Sequence, residues 1–227
     1  MRILIACEFS GIVRDAFIKR GHDAISCDLL PSASPGPHIQ GDVEDVLEDG
    51  WDMLIAFPPC TYLCSSGLHW NGRVAGREQK THEAMLFVFN LLGEGSIAHD
   101  IPRIALENPI GRISTAYRKP DQIIQPYQFG HDASKQTCLW LKGLPKLQPT
   151  CEIAPIYGCR CGARFALELG KHGCPSCAGE QTARFIWGNQ TPTGQNKLGP
   201  SPTRWKDRSI TYQGIADAMA EQWGRLL

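Results

Sequence analysis

Ile3-Leu4-Ile5-Ala6-Cys7-Glu8-Phe9-Ser10-Gly11 places four consecutive apolar residues ahead of a short turn and a glycine. A run without polar alternation is the pattern of a parallel strand buried on both faces. The spacing predicts a helix over residues 12–20, with Val13, Ala16 and Phe17 on one face and Gly21 as its stop. Asp23-Ala24-Ile25-Ser26-Cys27-Asp28 reads as a second strand ending in a carboxylate, and residues 31–37, with three prolines and a glycine, as loop. Further strands are expected at 51–57 and 103–106, and a helix at 78–92. Alternation of this kind predicts an α/β, doubly wound sheet whose ligands bind at the carboxyl edge. Residues 138–141 are expected to form another strand and residues 215–223 an amphipathic closing helix. Residues 188–203, rich in Gly, Asn, Gln, Thr and Pro, are expected to form an exposed, mobile loop.

The chain has 227 residues, 42% of them hydrophobic, which suffices for one sizeable core and a small appendage. No run approaches the ~18 apolar residues of a membrane helix, and the N-terminal apolar run is too short for a signal peptide. A cytoplasmic protein with no membrane partner is therefore expected. Lysine plus arginine balance aspartate plus glutamate at 23 each. The balance hides a basic segment: residues 158–208 hold eight Lys/Arg against three Asp/Glu, where a polyanion would dock.

Two strand ends carry groups with chemistry in them. Pro58-Pro59-Cys60 follows residues 51–57, and Glu107-Asn108-Pro109 follows residues 103–106. A thiol in a stiff loop beside a carboxylate can attack a ring carbon and stabilise the charge that results. The first turn lacks a full glycine fingerprint, and no Gly-Lys-Ser or Gly-Lys-Thr occurs. One glycine plus an aromatic suits a ligand without pyrophosphate, its adenosine stacked on Phe9 and its charged tail on backbone amides near Gly11. Asp28 is placed to accept from ribose hydroxyls and Asp42 from an adenine amino group. Strand-end aspartates also serve as turn and cap residues.

Phe9-Ser10-Gly11, Asp28, Gly41-Asp42-Val43, Pro58-Pro59-Cys60 and Glu107-Asn108-Pro109 follow one another in the order of the C5-cytosine DNA methyltransferase motifs. Over residues 1–110, and more loosely in the final helix, the chain resembles a compact, phage-type member of that family. The resemblance implies a Rossmann-like methyltransferase sheet, S-adenosyl-L-methionine as cofactor, and DNA cytosine C5 methylation as the activity. It implies Cys60, Glu107 and Asn108 as catalytic residues: Cys60 adds to C6 of the base, and Glu107 hydrogen-bonds and protonates N3. Phe9, Ser10, Gly11, Asp28, Asp42 and Pro58 are implied to bind the cofactor. The chain departs from the family in three places. Proline follows Glu107-Asn108 where the family has valine. No arginine occurs in residues 129–138, where a Gln-x-Arg-x-Arg element belongs, although Lys135 offers one charge. Finally, little room is left for a separate DNA-reading domain.

That room holds Cys159-x-Cys161 and Cys174-Pro175-Ser176-Cys177, a grouping that resembles a zinc ribbon. Four thiolates satisfy tetrahedral Zn²⁺ and leave no open position, so the metal is expected to be structural. Cys151 or His172 remains an alternative ligand because the first pair is spaced by one residue. Phe165, Leu167 and Leu169 form a thin core that would need the metal. The expected organisation is a catalytic domain at 1–150, a ribbon-like insertion and basic loop at 151–208 as target-recognition segment, and a C-terminal helix at 209–227 packing back. Two other functions stay open: the same chemistry on a free cytidine or deoxycytidine nucleotide, and a non-catalytic nucleic-acid-binding ribbon protein with a vestigial pocket.

Overall fold

Ile3, Leu4, Ile5 and Ala6 have no solvent exposure, and neither do Met53, Leu54, Ile55 and Ala56. Burial of both faces of adjacent strands requires helices on each side, and the chain supplies them. The computed structural model describes residues 1–94, 98–159, 161–165, 174–177, 183–191, 193 and 195–226. In chain order the body contains β1 (Arg2–Ala6), α1 (Ile12–Ile18), β2 (Asp23–Asp28), β3 (His38–Gln40), β4 (Met53–Ala56), α2 (Ser65–Leu68), α3 (Arg77–Leu91), β5 (Ile104–Asn108), α4 (Arg112–Ala116), β6 (Gln122–Ile124) and β7 (Thr137–Lys142). After these come β8 (Ile156–Cys159), β9 (Arg164–Phe165), β10 (Ala183–Ile186), α5 (Arg204–Ser209) and α6 (Gln213–Trp223).

β1 to β7 form one mixed sheet in the order β3-β2-β1-β4-β5-β7-β6. β1, β2, β3, β4 and β5 pair in parallel, and β7 runs antiparallel to both β5 and β6. This mostly parallel seven-stranded sheet is compatible with a Rossmann-like fold. The strand order reverses between β1 and β4, which is where sheets of this kind bind ligands. Ala6 stands opposite both Cys27 and Ala56, and Ala56 opposite Leu106. The carboxyl ends of β2, β1, β4 and β5 are therefore level, and the residues after them emerge at one edge.

α3 buries Thr81, Met85, Val88 and Leu91, a helical stripe that joins Leu54, Leu106 and Trp140 in the core. Each such apolar side chain contributes about 1.5–3 kcal/mol relative to exposure. β5 runs two residues past the expected end, so Glu107 and Asn108 lie within the strand. Among the described residues no helix is long and apolar enough to cross a membrane.

The chain divides into two units. One comprises Met1–Ile124, Gln136–Gln148 and Ile215–Leu227; the other comprises Gln125–Lys135 and Pro149–Gly214. Residues 125–135, expected with the catalytic domain, thus group with the cysteine-rich segment. In that second unit Tyr127 stacks on Trp187 with centroids 4.3 Å apart, and Asp132 accepts from the Gly188 amide at 2.8 Å. β8, β9 and β10 form a separate antiparallel sheet in the order β10-β8-β9.

Candidate functional site

Where β1 leaves the sheet, Cys7 takes a left-handed backbone at φ 57° and Gly11 follows at φ 78°. A Cβ at Gly11 would overlap Ser34 Oγ and the Arg14 guanidinium, so only glycine fits there. Glu8 is buried, and its carboxylate turns back onto α1. It accepts from the Val13 amide at 2.9 Å, from the Arg14 amide at 3.4 Å and from Ser10 Oγ at 2.8 Å. The donors at the start of α1, which hold phosphate in dinucleotide-binding folds, are thus occupied by the protein's own carboxylate. Burial raises the Glu8 pKa, against the opposing pull of those hydrogen bonds.

Arg14 is entirely buried. Its guanidinium donates to Ser26 Oγ and Ser32 Oγ at 3.1 Å, Ser34 Oγ at 2.7 Å and the Pro35 carbonyl at 3.0 Å, and it pairs with Asp15 at 2.8 Å. The proline-rich loop after β2 is thereby clamped to α1. Neither Glu8 nor Arg14 was anticipated from the sequence. The only available signal was their position beside Gly11, because charged residues in a strand-to-helix turn normally read as solvent-facing.

The residues expected to bind a cofactor collect at this edge. Phe9 is half-buried, and its carbonyl accepts from the Ala33 amide at 2.7 Å. Asp28 Oδ1 accepts from the Leu30 amide at 2.9 Å, and Asp42 Oδ1 accepts from the Glu44 amide at 3.1 Å. Both aspartates therefore hold turns, as strand-end aspartates commonly do. Their charges still converge. Burial, followed by the carboxylates of Asp28, Asp42 and Glu44, drives the Cys7 thiol pKa well above its ordinary value.

One strand further along, Pro58 is buried while Pro59 and Cys60 are exposed. Asn108, 1% exposed, donates from Nδ2 to the Pro58 carbonyl at 2.9 Å. A carbonyl can only accept, which fixes the orientation of the amide and leaves Oδ1 buried without a hydrogen bond. The Cys60 carbonyl accepts from the amides of Leu63 and Cys64 at 3.0 and 2.9 Å, closing the turn that presents the thiol. That turn is laced to the segment after β5. The Arg112 amide donates to the Leu63 carbonyl at 2.7 Å, and the Ser65 amide donates to the Ile110 carbonyl at 3.0 Å. A Cβ at Gly111 would overlap the Leu63 carbonyl, which explains glycine at this crossing.

Glu107 is half-buried on β5, beside β7. Burial and then the Glu107 charge push the Cys138 thiol up to about 11. Cys60 and Glu107 therefore belong to adjacent strand ends, and Asn108 joins those ends rather than pointing away from them. Cys64 caps α2, with its sulfur 3.3 Å from Ser66 Oγ.

Downstream of Cys60 the body exposes a basic, aromatic surface. Arg77 donates from Nη2 to the Thr61 carbonyl at 3.0 Å and lies 5.0 Å from the Tyr62 ring centre, with Lys80 5.7 Å from the same ring. Trp70 is 45% exposed, and Arg73 lies over it at 5.9 Å. This cluster was not foreseen. Lys135, the substitute cation named from the sequence, instead donates to the Arg208 carbonyl at 3.0 Å within the second unit.

That second unit gathers Cys159, Cys161, Cys174 and Cys177, whose sulfurs all lie within 4.8 Å of one another. Cys159–Cys177 and Cys161–Cys174 are each 3.6 Å apart. Zinc–sulfur bonds of ~2.3 Å in a tetrahedron require sulfur separations of roughly 3.8 Å, so the four cysteines have the spacing of a metal site. Gly162, at φ 93°, makes the turn between the first pair and β9. Cys151 stands outside this cluster, bridging to Phe129. His172, Leu167 and Leu169 lie outside the described residues.

Comparison with protein-family models and with curated sequences returns no match. The resemblance to C5-cytosine methyltransferases accordingly rests on the order of the motifs in the sequence.

Proposed function

We propose that the protein is an S-adenosylmethionine-dependent methyltransferase that modifies C5 of cytosine in DNA, with a structural zinc ion on the four-cysteine cluster. The observation that carries the reading is the Asn108–Pro58 hydrogen bond, which ties the turn bearing Cys60 to the strand bearing Glu107. The cofactor edge supports it in a different way. With Glu8 seated on α1 and Asp28, Asp42 and Glu44 nearby, the edge suits a ligand carrying positive charge and no phosphate. S-adenosylmethionine fits that description, and when bound by Phe9, Gly11, Asp28 and Asp42 it would supply an electrophilic methyl carbon.

The residues then divide the work. The Cys60 thiolate would form a bond to C6, moving electron density onto C5, while the protonated Glu107 carboxyl donates its proton to N3 and so neutralises the charge that develops there. Once C5 has gained a methyl group, transfer of the C5 proton to water, return of the N3 proton to Glu107 and expulsion of the Cys60 thiolate would restore the ring. Asn108 is a positioning residue in this scheme. Arg77, whose guanidinium donates to the Thr61 carbonyl next to Cys60, is a candidate for the role of the missing arginines.

Labelled cofactor should be incubated with duplex DNA, single strands or deoxycytidine monophosphate, and the products analysed by mass. Cys60→Ser should abolish transfer to DNA while leaving cofactor affinity unchanged. Full turnover in that variant would sink the covalent scheme, and product from the mononucleotide alone would transfer the reading to a nucleotide-modifying enzyme.

A further inference from the structure

Tyr157, Phe165 and Phe185 stand side by side across the small sheet. Tyr157 is the register partner of Phe185 on β10 and of Phe165 on β9. Cross-strand partners share a face, and the rings confirm it. Tyr157 and Phe185 stack at 4.5 Å and 28°, and Tyr157 and Phe165 at 5.9 Å and 11°. The row is graded in burial: Phe165 is 9% exposed, Tyr157 half-buried and Phe185 52% exposed. On the opposite face Ile186 packs over Gly158 and is 1% exposed, so that side is closed from within. The open end of the aromatic row lies on β10, an edge strand of this sheet.

A folding role accounts for Phe165, which packs with Cys159 and Cys174. It does not account for Phe185, a large ring left half in water at the end of a stacked series. The segment around it is basic, with eight Lys/Arg against three Asp/Glu over residues 158–208. A zinc ion on four thiolates would subtract two charges and leave the segment positive. An exposed aromatic face on a segment of net positive charge is a combination that takes up unpaired bases, since each base offers a π-face and each linkage a phosphate. A duplex keeps its base faces stacked internally and cannot use such a platform.

We infer that the Phe185 end of this row is a stacking platform for an unpaired base of single-stranded nucleic acid. The inference rests on the nucleic-acid part of the function proposed above. It extends that function by giving the cysteine-rich unit a preference for opened strands, which C5 chemistry itself creates when the target base leaves the duplex.

Fluorescence anisotropy on the full chain tests it, with an oligothymidine strand of about twelve nucleotides and an abasic strand of equal length as probes. Phe185→Ala should weaken oligothymidine binding by about 5- to 150-fold, the range that stacking of one base is worth. Binding to the abasic strand, which keeps the phosphates and loses the bases, should not change. Phe185→Tyr should restore affinity. Phe185→Leu, which keeps an apolar strand residue, should fail as alanine does. Unchanged oligothymidine affinity in Phe185→Ala, or equal losses on both strands, overturns the inference. So does a wild-type dimer that Phe185→Ala dissociates with no effect on oligonucleotide affinity, which would mark the face as a protein interface. Binding is read without cofactor or turnover. A protein that transfers no methyl group yet shows the Phe185 effect therefore keeps this inference and loses only the proposed reaction.

Discussion

The two units hold their functional groups in place by different means. At the sheet edge, Cys60 and Glu107 are positioned by strands whose apolar side chains are buried, and the final adjustment is one amide, Asn108 on Pro58. In the cysteine-rich unit, the strands around the sulfurs are two to four residues long, and the apolar cluster is Cys159, Phe165 and Cys174 with Tyr157 and Ala163. The first region is organised by apolar burial and would keep its shape with an empty site. Around the sulfurs of the second, the described residues bury little apolar surface, and four cysteines at metal-ligand spacing are placed to hold the strands through a metal. In the proposed function the same residue type, cysteine, is a reactive group on a buried frame in one unit and, as a metal ligand, part of the frame in the other.

Metal removal should separate the two regions most sharply. A structural zinc site contributes on the order of 10 kcal/mol to a small module. Chelation, or Cys174→Ser with Cys177→Ser, should therefore unfold the sheet of β8, β9 and β10 and leave the seven-stranded sheet intact. Hydrogen exchange resolved by segment would show this, alongside elemental analysis giving about one zinc per chain. Continued protection of residues 156–159 in metal-free protein would erase the distinction drawn here.

A smaller effect is expected at the sheet edge. Asn108→Ala leaves the Pro58 carbonyl buried without its donor, at a cost of about 1–3 kcal/mol. The body should stay folded and bind cofactor normally, while methyl transfer falls as the Cys60 turn loosens. Denaturant titration paired with single-turnover rates checks both halves; a rate unchanged despite lower stability would remove Asn108 from the site.

The smallest effect concerns Glu8, whose carboxyl is held above its ordinary range by burial. The folded state therefore keeps this proton to a higher pH than the unfolded chain does. The stability this provides is complete below the ordinary carboxylate pKa and is lost as pH rises through the raised folded value. Glu8→Gln should flatten stability against pH from about pH 4 upward and cost roughly 1 kcal/mol for the acceptor it cannot reproduce. Denaturation curves across that window that superimpose on wild type would mean Glu8 titrates as an ordinary surface carboxyl.

The sequence was most readable where structure follows from local pattern. Continuous apolar runs located β1, β4 and β5, and helical spacing located α3 and α6. Cysteine spacing located the metal-ligand cluster. What escaped depends on partners distant along the chain. Arg14 sits on a helix face otherwise read from Val13, Ala16 and Phe17. Its burial becomes tolerable only because residues 26–37 bring it hydroxyls and carbonyls. Glu8 looked like a turn residue until its carboxylate was seen on α1. The grouping of residues 125–135 with the cysteine-rich unit depends on partners such as Trp187 and Gly188, more than fifty residues downstream. No periodicity encodes such pairings.

The position of α6 has a consequence for synthesis. Trp223 is wholly buried and donates from Nε1 to the Pro145 carbonyl, 78 residues earlier, while Arg20 reaches Glu221 across 201. At translation rates of about 5–20 residues per second, Pro145 leaves the ribosome roughly 4–16 s before its partner does. During that interval the body waits with apolar surface uncovered, while the cysteine-rich unit emerges with its four clustered cysteines. The unit built on the seven-stranded sheet is thus completed after the cysteine-rich unit, and its apolar surface stays open to aggregation until α6 arrives.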